Sequence, residues 1–566
     1  MNKRLLLLSA GILAVALLLG ACGPTAPQPG DATPEEGQVP ATASGTAQEP
    51  AQPAMVTLTV GGLEDVDCWN PFGCQSIWQY AHLMYEGFFD HGPNPDCVGV
   101  PRLADSAEAS SDGLSYTVHI HPGVTFSNGE PFNAFVAKEY IEWVMAGDLK
   151  YMQAETVYMT SVEALDELTL KFTTSRPIST FVDYGSHWFY MFPPSIWTKV
   201  PTDEIYTYKY DPPVGTGPYT LTEQVPGQYI IYSARPDYYR GKPPIDRLIY
   251  KIYTSPDALL LAFLEGEVDM TSTDMPPESY DQLVAAPNVV VEEKPGGSFY
   301  RLLFNMAETG TRNAAIGDPK VREAIDYAIH KQRILDLALL GHGELCATNW
   351  MCGNAFGLDP SLAVTSFDLE KAKQILDKAG YLDNDKDGVR ETTDGKPIEL
   401  RLVFDLGVSP STTIMPMLTE WLKEIGITVK AEGQEFGTFI QTVLGDRDFD
   451  LAILNEGADV DFVGIEFEMS CWAAEQGISA LNYSGYCSKD LDSLLEDYRF
   501  TSDPVAKQAT YLKAQALINS DRPYIILAGQ NSIQAYNSAK FEFPLNSCFV
   551  GRGMWWPWAL MQAKVK

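Results

Sequence analysis

Residues 214–270 read VGTGPYTLTEQVPGQYIIYSARPDYYRGKPPIDRLIYKIYTSPDALLLAFLEGEVDM. Gly215, Gly217 and Pro218 punctuate the approach to a strand-like run, 219–221. Residues 229–232 (YIIY) read as a second strand. A Gly-Lys-Pro-Pro turn follows, then 248–253, apolar or aromatic at nearly every position. Residues 258–264 are too densely apolar for a solvated helix and predict a buried one. Strands and turns, then strand and helix, predict an α/β sheet that takes helices on its faces.

The chain outside this stretch begins with an export pattern. Lys3 and Arg4 precede an apolar run, 5–19, with Ser9 its one polar interruption, and Leu19-Gly20-Ala21-Cys22 closes it. A basic start, a short apolar segment and small residues before a cut describe a secretory signal. The run is short for a membrane span, which needs about 20 apolar residues. Cys22 directly after the small residues resembles a lipobox, which predicts diacylation of its thiol and a mature N-terminus there. Residues 23–54 are rich in Pro, Ala, Gln, Thr and Gly and hold no aromatic residue. Such a segment buries too little apolar surface to offset chain entropy, and predicts a flexible tether.

Over five hundred residues remain, in a chain that is 45% hydrophobic and has a formal net charge of −34. That charge repels nucleic acid and anionic bilayers and favours solubility. No basic cluster of the nucleic-acid-binding type is present. Setting Cys22 aside leaves eight cysteines, an even number that suits disulfides in an oxidising compartment. Cys346/Cys352 and Cys471/Cys487 are the natural local pairs. The pairing of Cys68, Cys74, Cys97 and Cys548 stays open. No C-x-x-C pair argues for zinc.

Asp383-Asn384-Asp385-Lys386-Asp387-Gly388-Val389-Arg390-Glu391 has the spacing of a calcium loop. Asp383, Asp385 and Asp387 fall at positions 1, 3 and 5, a Gly supplies the sharp turn, the Val389 carbonyl falls at 7, Glu391 at 9 and Asp394 at 12. A strand, not a second helix, follows. A structural calcium site and a solvated acidic turn are both open readings.

Several motifs carry a resemblance. The order GTGPY, YYRGKPPIDRLIYKIY and GEVDM resembles the large extracellular solute-binding proteins of peptide-type ABC importers, family 5. So do Tyr85-Glu86-Gly87-Phe88, the segment His121-Pro122-Gly123-Val124-Thr125-Phe126-Ser127-Asn128-Gly129 before a helix, Phe299–Asn305 (FYRLLFN), and Asp318–Ile329 (DPKVREAIDYAI). Phe449-Asp450-Leu451 resembles the family's FDxxL strand. The loop after it, 455–461 (NEGADVD), falls where peptide-binding members carry W-x-A-D-Y-x-D-P. Asp459 matches the Asp that pairs there with a peptide's α-ammonium. Glu456 stands in place of the Trp, Val460 in place of the Tyr, and the Pro is missing.

The resemblance implies a two-lobed periplasmic-binding-protein-like clamp with an additional small domain. Lobe I then gathers 55–85, 195–297 and 528–566, a small domain spans 86–194, and lobe II spans 298–527. It implies capture of a peptide or peptide-like solute between the lobes and delivery to a permease and ATPase, by a monomer held to the outer face of the cell membrane, or in the periplasm, through its lipid alone. Asp459, Trp69, Tyr300, Arg301 and Trp472 are the cleft candidates. No cofactor is required, and a structural calcium ion at the Asp383 loop stays an open reading. The alternatives are a non-peptide ligand such as a sugar or metal chelate, a sensor role, and an exported hydrolase. For the last, H-E-x-x-H, G-x-S-x-G, Walker A and G-x-G-x-x-G motifs are all absent.

Overall fold

The computed structural model describes residues 55–74, 78–90, 100–147, 149, 156, 158–178, 189–307, 310, 312–348, 359, 361–457, 463–476, 481–544 and 555–566. The expectations for Cys22, the tether, Cys97, Cys352, Asp459 and Cys548 lie outside these residues. Its main strands, in chain order, are β1 (Thr57–Gly62), β2 (Ala104–Ala109), β3 (Ser115–Ile120), β4 (Met159–Ala164), β5 (Thr169–Thr174), β6 (Tyr219–Val225), β7 (Tyr229–Ala234) and β8 (Arg247–Ile252). They continue with β9 (Met270–Thr271), β10 (Val289–Phe304), β11 (Gly343–Glu344), β12 (Glu399–Asp405), β13 (Thr428–Gln434), β14 (Leu451–Gly457) and β15 (Tyr524–Asn537).

One large sheet has the order β13-β12-β14-β10-β15-β9-β1-β8-β7-β6, with β11 added on β15. Two long antiparallel strands, β10 and β15, lie at its centre. The first part of β10, Val289–Lys294, pairs with residues 532–537, and its last part, Ser298–Leu303, with residues 524–530. β10 also pairs with β14 through its last part alone. These two strands therefore carry the sheet from one lobe into the other. Each half is covered on both faces. In the first, Leu248, Tyr250 and Met270 pack on one side, and Leu259, Phe263, Ile533 and Ala535 form a cluster on the other. In the second, Leu302, Phe304 and Ile453 face one cluster, and Phe299, Leu303 and Ala452 face the opposite one. The separate sheet β2-β3-β5-β4 contributes Tyr116, Val118 and Phe172 to the same cluster as Leu248 and Tyr250.

The stretch that opens the sequence argument is scaffold of the first lobe. β7 and β8 pair antiparallel, and β8 runs parallel to β1. Gly215 and Gly217 are needed for close approach. The Gly217 amide donates to the Met84 carbonyl at 2.8 Å. A Cβ on Gly217 would sit 2.6 Å from the Leu83 carbonyl oxygen, and one on Gly215 would overlap that of Met84. The helix begins at Pro256, two residues before the apolar run, where the Ser255 side chain accepts from the Ala258 amide at 3.2 Å; it is not buried all round, since Leu259, Leu260 and Phe263 face the core while Leu261 and Leu264 are exposed.

Asp318 caps the helix Pro319–Ala328, its carboxylate accepting from the Lys320 amide at 2.8 Å. Its face of Val321, Ala324, Ile325 and Ala328 is fully buried, and burying each Val or Ile side chain contributes roughly 1.5–3 kcal/mol. Other elements differ from the sequence reading. Residues 418–425 read as a helix in the sequence, but the helix starts at Ser409 and contains Pro416. Residues 522–527 read as a strand, and the strand runs from Tyr524 on to Asn537. Pro295-Gly296-Gly297, which reads in the sequence as a hinge, falls at a register irregularity inside one continuous strand. Disulfides join Cys471 to Cys487 as expected, and Cys68 to Cys74, which the spacing left open. Cys346 is disulfide-bonded to a residue outside the described set. Among the described residues no helix is long and apolar enough to cross a membrane.

A buried ion cluster ties the second lobe together. Asp326 accepts from Lys331 at 2.6 Å, Arg522 at 3.1 Å and the Thr365 hydroxyl at 2.6 Å. Burial alone would raise its carboxyl pKa, but Lys331 and the hydrogen bonds outweigh burial and hold it below the usual value. A depressed folded-state pKa gives stability that is present above the unfolded value and lost as pH falls through the folded one. Asp326→Asn should therefore cost about 3–5 kcal/mol at neutral pH and flatten the loss of stability between neutral and acid pH. Thermal unfolding of both chains across that range checks this, and parallel curves would contradict it.

Candidate functional site

Strands β12, β13 and β14 run parallel and in register, so Asp405, Gln434 and Gly457 end on one edge of the sheet. In open α/β sheets the carboxyl ends of strands are where ligands bind, because the chain leaves them in loops that can vary without disturbing the core. β14 leaves this edge at Gly457. The chain resumes in the helix Val463–Met469, so residues 458–462, with Asp459 among them, connect the two.

Both flanks of that connection are held by one guanidinium. Arg301, on β10 opposite Leu454 of β14, donates through Nη1 to Glu468 at 2.9 Å and pairs through Nη2 with Glu456. Glu456 lies just before the connection and Glu468 on the helix just after it. The Arg301 side chain is 3% exposed, against 17% for Glu456 and 6% for Glu468, so the charges meet where water does not screen them. The Tyr524 ring lies 5.1 Å from the guanidinium carbon, a further favourable contact. Burial works against the charged guanidinium, but Glu468 outweighs it and holds the Arg301 pKa above its ordinary value.

The cleft candidates separate. Trp69 is a correction. It is 6% exposed in the first-lobe core, donates Nε1 to Gln224 at 2.8 Å and meets Tyr232 edge-on. A large aromatic ring with its polar tip satisfied inside the core serves packing. Tyr300 is also buried, its hydroxyl donating to Gln530 across the ribbon at 3.0 Å. Arg301 braces the loop rather than presenting a free charge. Trp472, on the short helix Cys471–Gln476, is half exposed. Glu468 was not singled out from sequence. The signal was there, since an Arg inside the apolar strand FYRLLFN demands buried counter-charge.

A polar group also gathers where the ribbon changes register. Glu293 accepts from the Asn531 side chain at 2.7 Å and contacts His342 Nδ1 at 3.0 Å, and the Tyr280 ring packs on His342 at 4.3 Å between centroids. Tyr280 comes from the first lobe and His342 from the second.

At the acidic loop, oxygens of Asp383, Asp385, Asp387 and Glu391 all lie within 4.8 Å of one another. The carboxylates also turn the backbone: Asp383 accepts from the Gly388 amide at 3.1 Å and Asp387 from the Val389 amide at 2.8 Å. Glu391 accepts from Asn384. Asp394, expected to close the loop, instead pairs with Lys396 at 2.8 Å and accepts from Thr392. The tight turn 392–396 points it away.

A clamp of two sheet-based lobes joined by crossing strands is the architecture of an extracytoplasmic solute-binding protein. Residues 99–464 match the model for bacterial extracellular solute-binding proteins, family 5, and the chain belongs to that family. It is 27% identical over 528 residues to di/tripeptide-binding protein 4 of Pseudomonas aeruginosa, covering 85% of this chain and 92% of that one. Its fold matches AppA of Bacillus subtilis in complex with a nonapeptide, with a TM-score of 0.75, 21% identity, and 90% and 99% of the two chains covered. It matches NikZ of Campylobacter jejuni in complex with Ni(L-His) with a TM-score of 0.78, 22% identity, and 90% and 99% covered.

Arg301→Met leaves two buried carboxylates facing each other. It should destabilise the protein by about 3–5 kcal/mol, seen as a lower urea midpoint. Changing Glu456 and Glu468 to Gln in the same chain should restore part of the loss. A single variant with an unchanged midpoint would remove the brace from the account.

Proposed function

We propose that this chain captures peptides outside the cytoplasm for an ABC importer, as a monomer anchored to the membrane by lipid on Cys22, and hands them to a permease driven by an ATPase. The cargo lies between the lobes, and Asp459 pairs with its cationic amino group. The observation that carries this reading is the two-sided hold of Arg301 on the connection that bears Asp459. Glu456 and Glu468, on the elements either side of that connection, are held to one guanidinium, which lowers the ordering left to be done when a ligand binds there. The peptide-binding relative, matched over 92% of its length, supports the same cargo class. Backbone hydrogen bonding and roomy side-chain subsites would let such a clamp accept many sequences.

The test uses the full-length chain expressed in a bacterium and purified from its membrane fraction. Mass spectrometry after denaturation should find a diacyl group on Cys22 and a mixture of short peptides. An unmodified Cys22 would end the anchor reading. A single sugar or metal chelate in place of peptides would end the peptide reading while leaving the family intact.

A structural calcium ion belongs to the same proposal. Asp383, Asp385, Asp387 and Glu391 offer the all-oxygen donor set that this ion takes, with the Val389 carbonyl as a further donor and Asp394 outside the set. The ion would neutralise four clustered carboxylates and stiffen the turn before β12. Calorimetric titration with millimolar calcium should give heat that an Asp385→Asn, Asp387→Asn chain lacks. Heat equal to dilution in the unaltered chain would refute the site.

A further inference from the structure

The two bodies of the clamp meet a second time, far along the chain from the ribbon. The helix Lys489–Phe500 belongs to the second-lobe core through Leu491 and Leu495. The small sheet β2-β3-β5-β4 shares the core of the first. Arg176, just past β5, pairs with Glu496 and lays its guanidinium carbon 3.7 Å from the centre of the Phe500 ring. Tyr158, just before β4, accepts the Ser175 amide at 2.8 Å on its carbonyl and meets Phe500 edge-on at 4.9 Å. Arg499 lies over the Tyr158 ring at 5.8 Å and is itself held by Glu466. Guanidinium and aromatic groups thus alternate between the two bodies.

We propose that this alternating contact is a latch that holds the clamp closed and sets how often it opens. The proposal rests on the reading of the chain as a hinged solute-binding clamp. Hinge opening can bend the ribbon while its ladder stays paired, but it has to part a contact between the bodies that no strand bridges. The strength of the contact suits a reversible device. The Arg176 side chain is 44% exposed and that of Glu496 55%, so the pair is partly screened and each element is weak alone. Several weak contacts made together hold the closed state; none buries an ion so deeply that opening would strand it. Phe500 is shared by Arg176 and Tyr158, which makes it the pivot of the group.

The test reads closure without any ligand. Nitroxide labels are placed on ketone-bearing amino acids at the exposed positions Glu163 and Asp490, so the native cysteines are untouched. Pulsed dipolar spectroscopy of the ligand-free full-length chain should show a short-distance population. Arg176→Ala should lower the ratio of short to long distances about tenfold, and Phe500→Ala by at least as much. Arg176→Gln, which keeps length but loses charge, should act like Arg176→Ala with an unchanged thermal midpoint, which separates release of the latch from loss of fold. Distance distributions unchanged in all three variants would overturn the latch, as would an unaltered chain with no short-distance population. Either failure leaves the peptide reading untouched, because no cargo takes part in the measurement.

Discussion

Everything in this clamp hangs from the pairing of β10 with β15. A two-stranded antiparallel ladder fixes the separation of two bodies but allows bend and twist, so where the ladder is irregular decides where the bodies move. Lys294 pairs with Ser532 and Ser298 with Gln530, so Pro295, Gly296 and Gly297 stand opposite Asn531 alone. Three residues against one is a large bulge, and bulges bend the strand and increase its twist. A little further on Tyr300 pairs with Ala528 and Arg301 with Ile526, so here the extra residue is Leu527, on the other strand. The two irregularities lie on opposite strands, and the ladder regains a regular register beyond them. Proline without an amide and two glycines without side chains are what such a joint requires.

The second irregularity sits at Arg301, which links the joint to the loop. A residue at a shift in register is aimed by the local twist, and Arg301 is aimed at Glu456 and Glu468. Buried ion groups of this kind contribute little net stability over apolar packing, because desolvation offsets most of the attraction. Their value is geometric. Moving Arg301 relative to β14 would leave Glu456 or Glu468 without its partner, so the guanidinium sets the position of the helix Val463–Met469 against the strand.

Much of the fold was legible because its signals are local. Gly215 and Gly217 mark a close approach that no other residue permits, Asp318-Pro319 announces a helix start, and Gly380 ends its helix with φ +89°. What was misread depends on partners distant in sequence. Gly529, Gln530, Asn531 and Ser532 look like a loop, yet they are strand because β10 lies beside them. Ser409-Pro410-Ser411 looks like a turn, yet Pro410 occupies the first turn of a helix, where its missing amide costs nothing. Trp69 looked like a cleft residue because aromatic loop residues often are, and only the position of Gln224, 155 residues away, shows it belongs to the core.

The charge of the chain matters through its buried pairs as well as through its total. A net charge of −34 governs solubility and encounter. Three buried cations are committed to carboxylates: Arg102 to Asp90 at 2.8 Å, Lys331 to Asp326 at 2.6 Å, and Arg301 to its two glutamates. In the last group one guanidinium faces two carboxylates, Glu456 on β14 and Glu468 on the helix Val463–Met469, an excess of one negative charge. The Trp that peptide-binding members of the family carry at the position of Glu456 is neutral, so the charge this chain has there needs its own partner. Arg301 supplies it from β10, and the apolar strand that holds Arg301 tolerates the guanidinium only because Glu456 and Glu468 are both there to meet it.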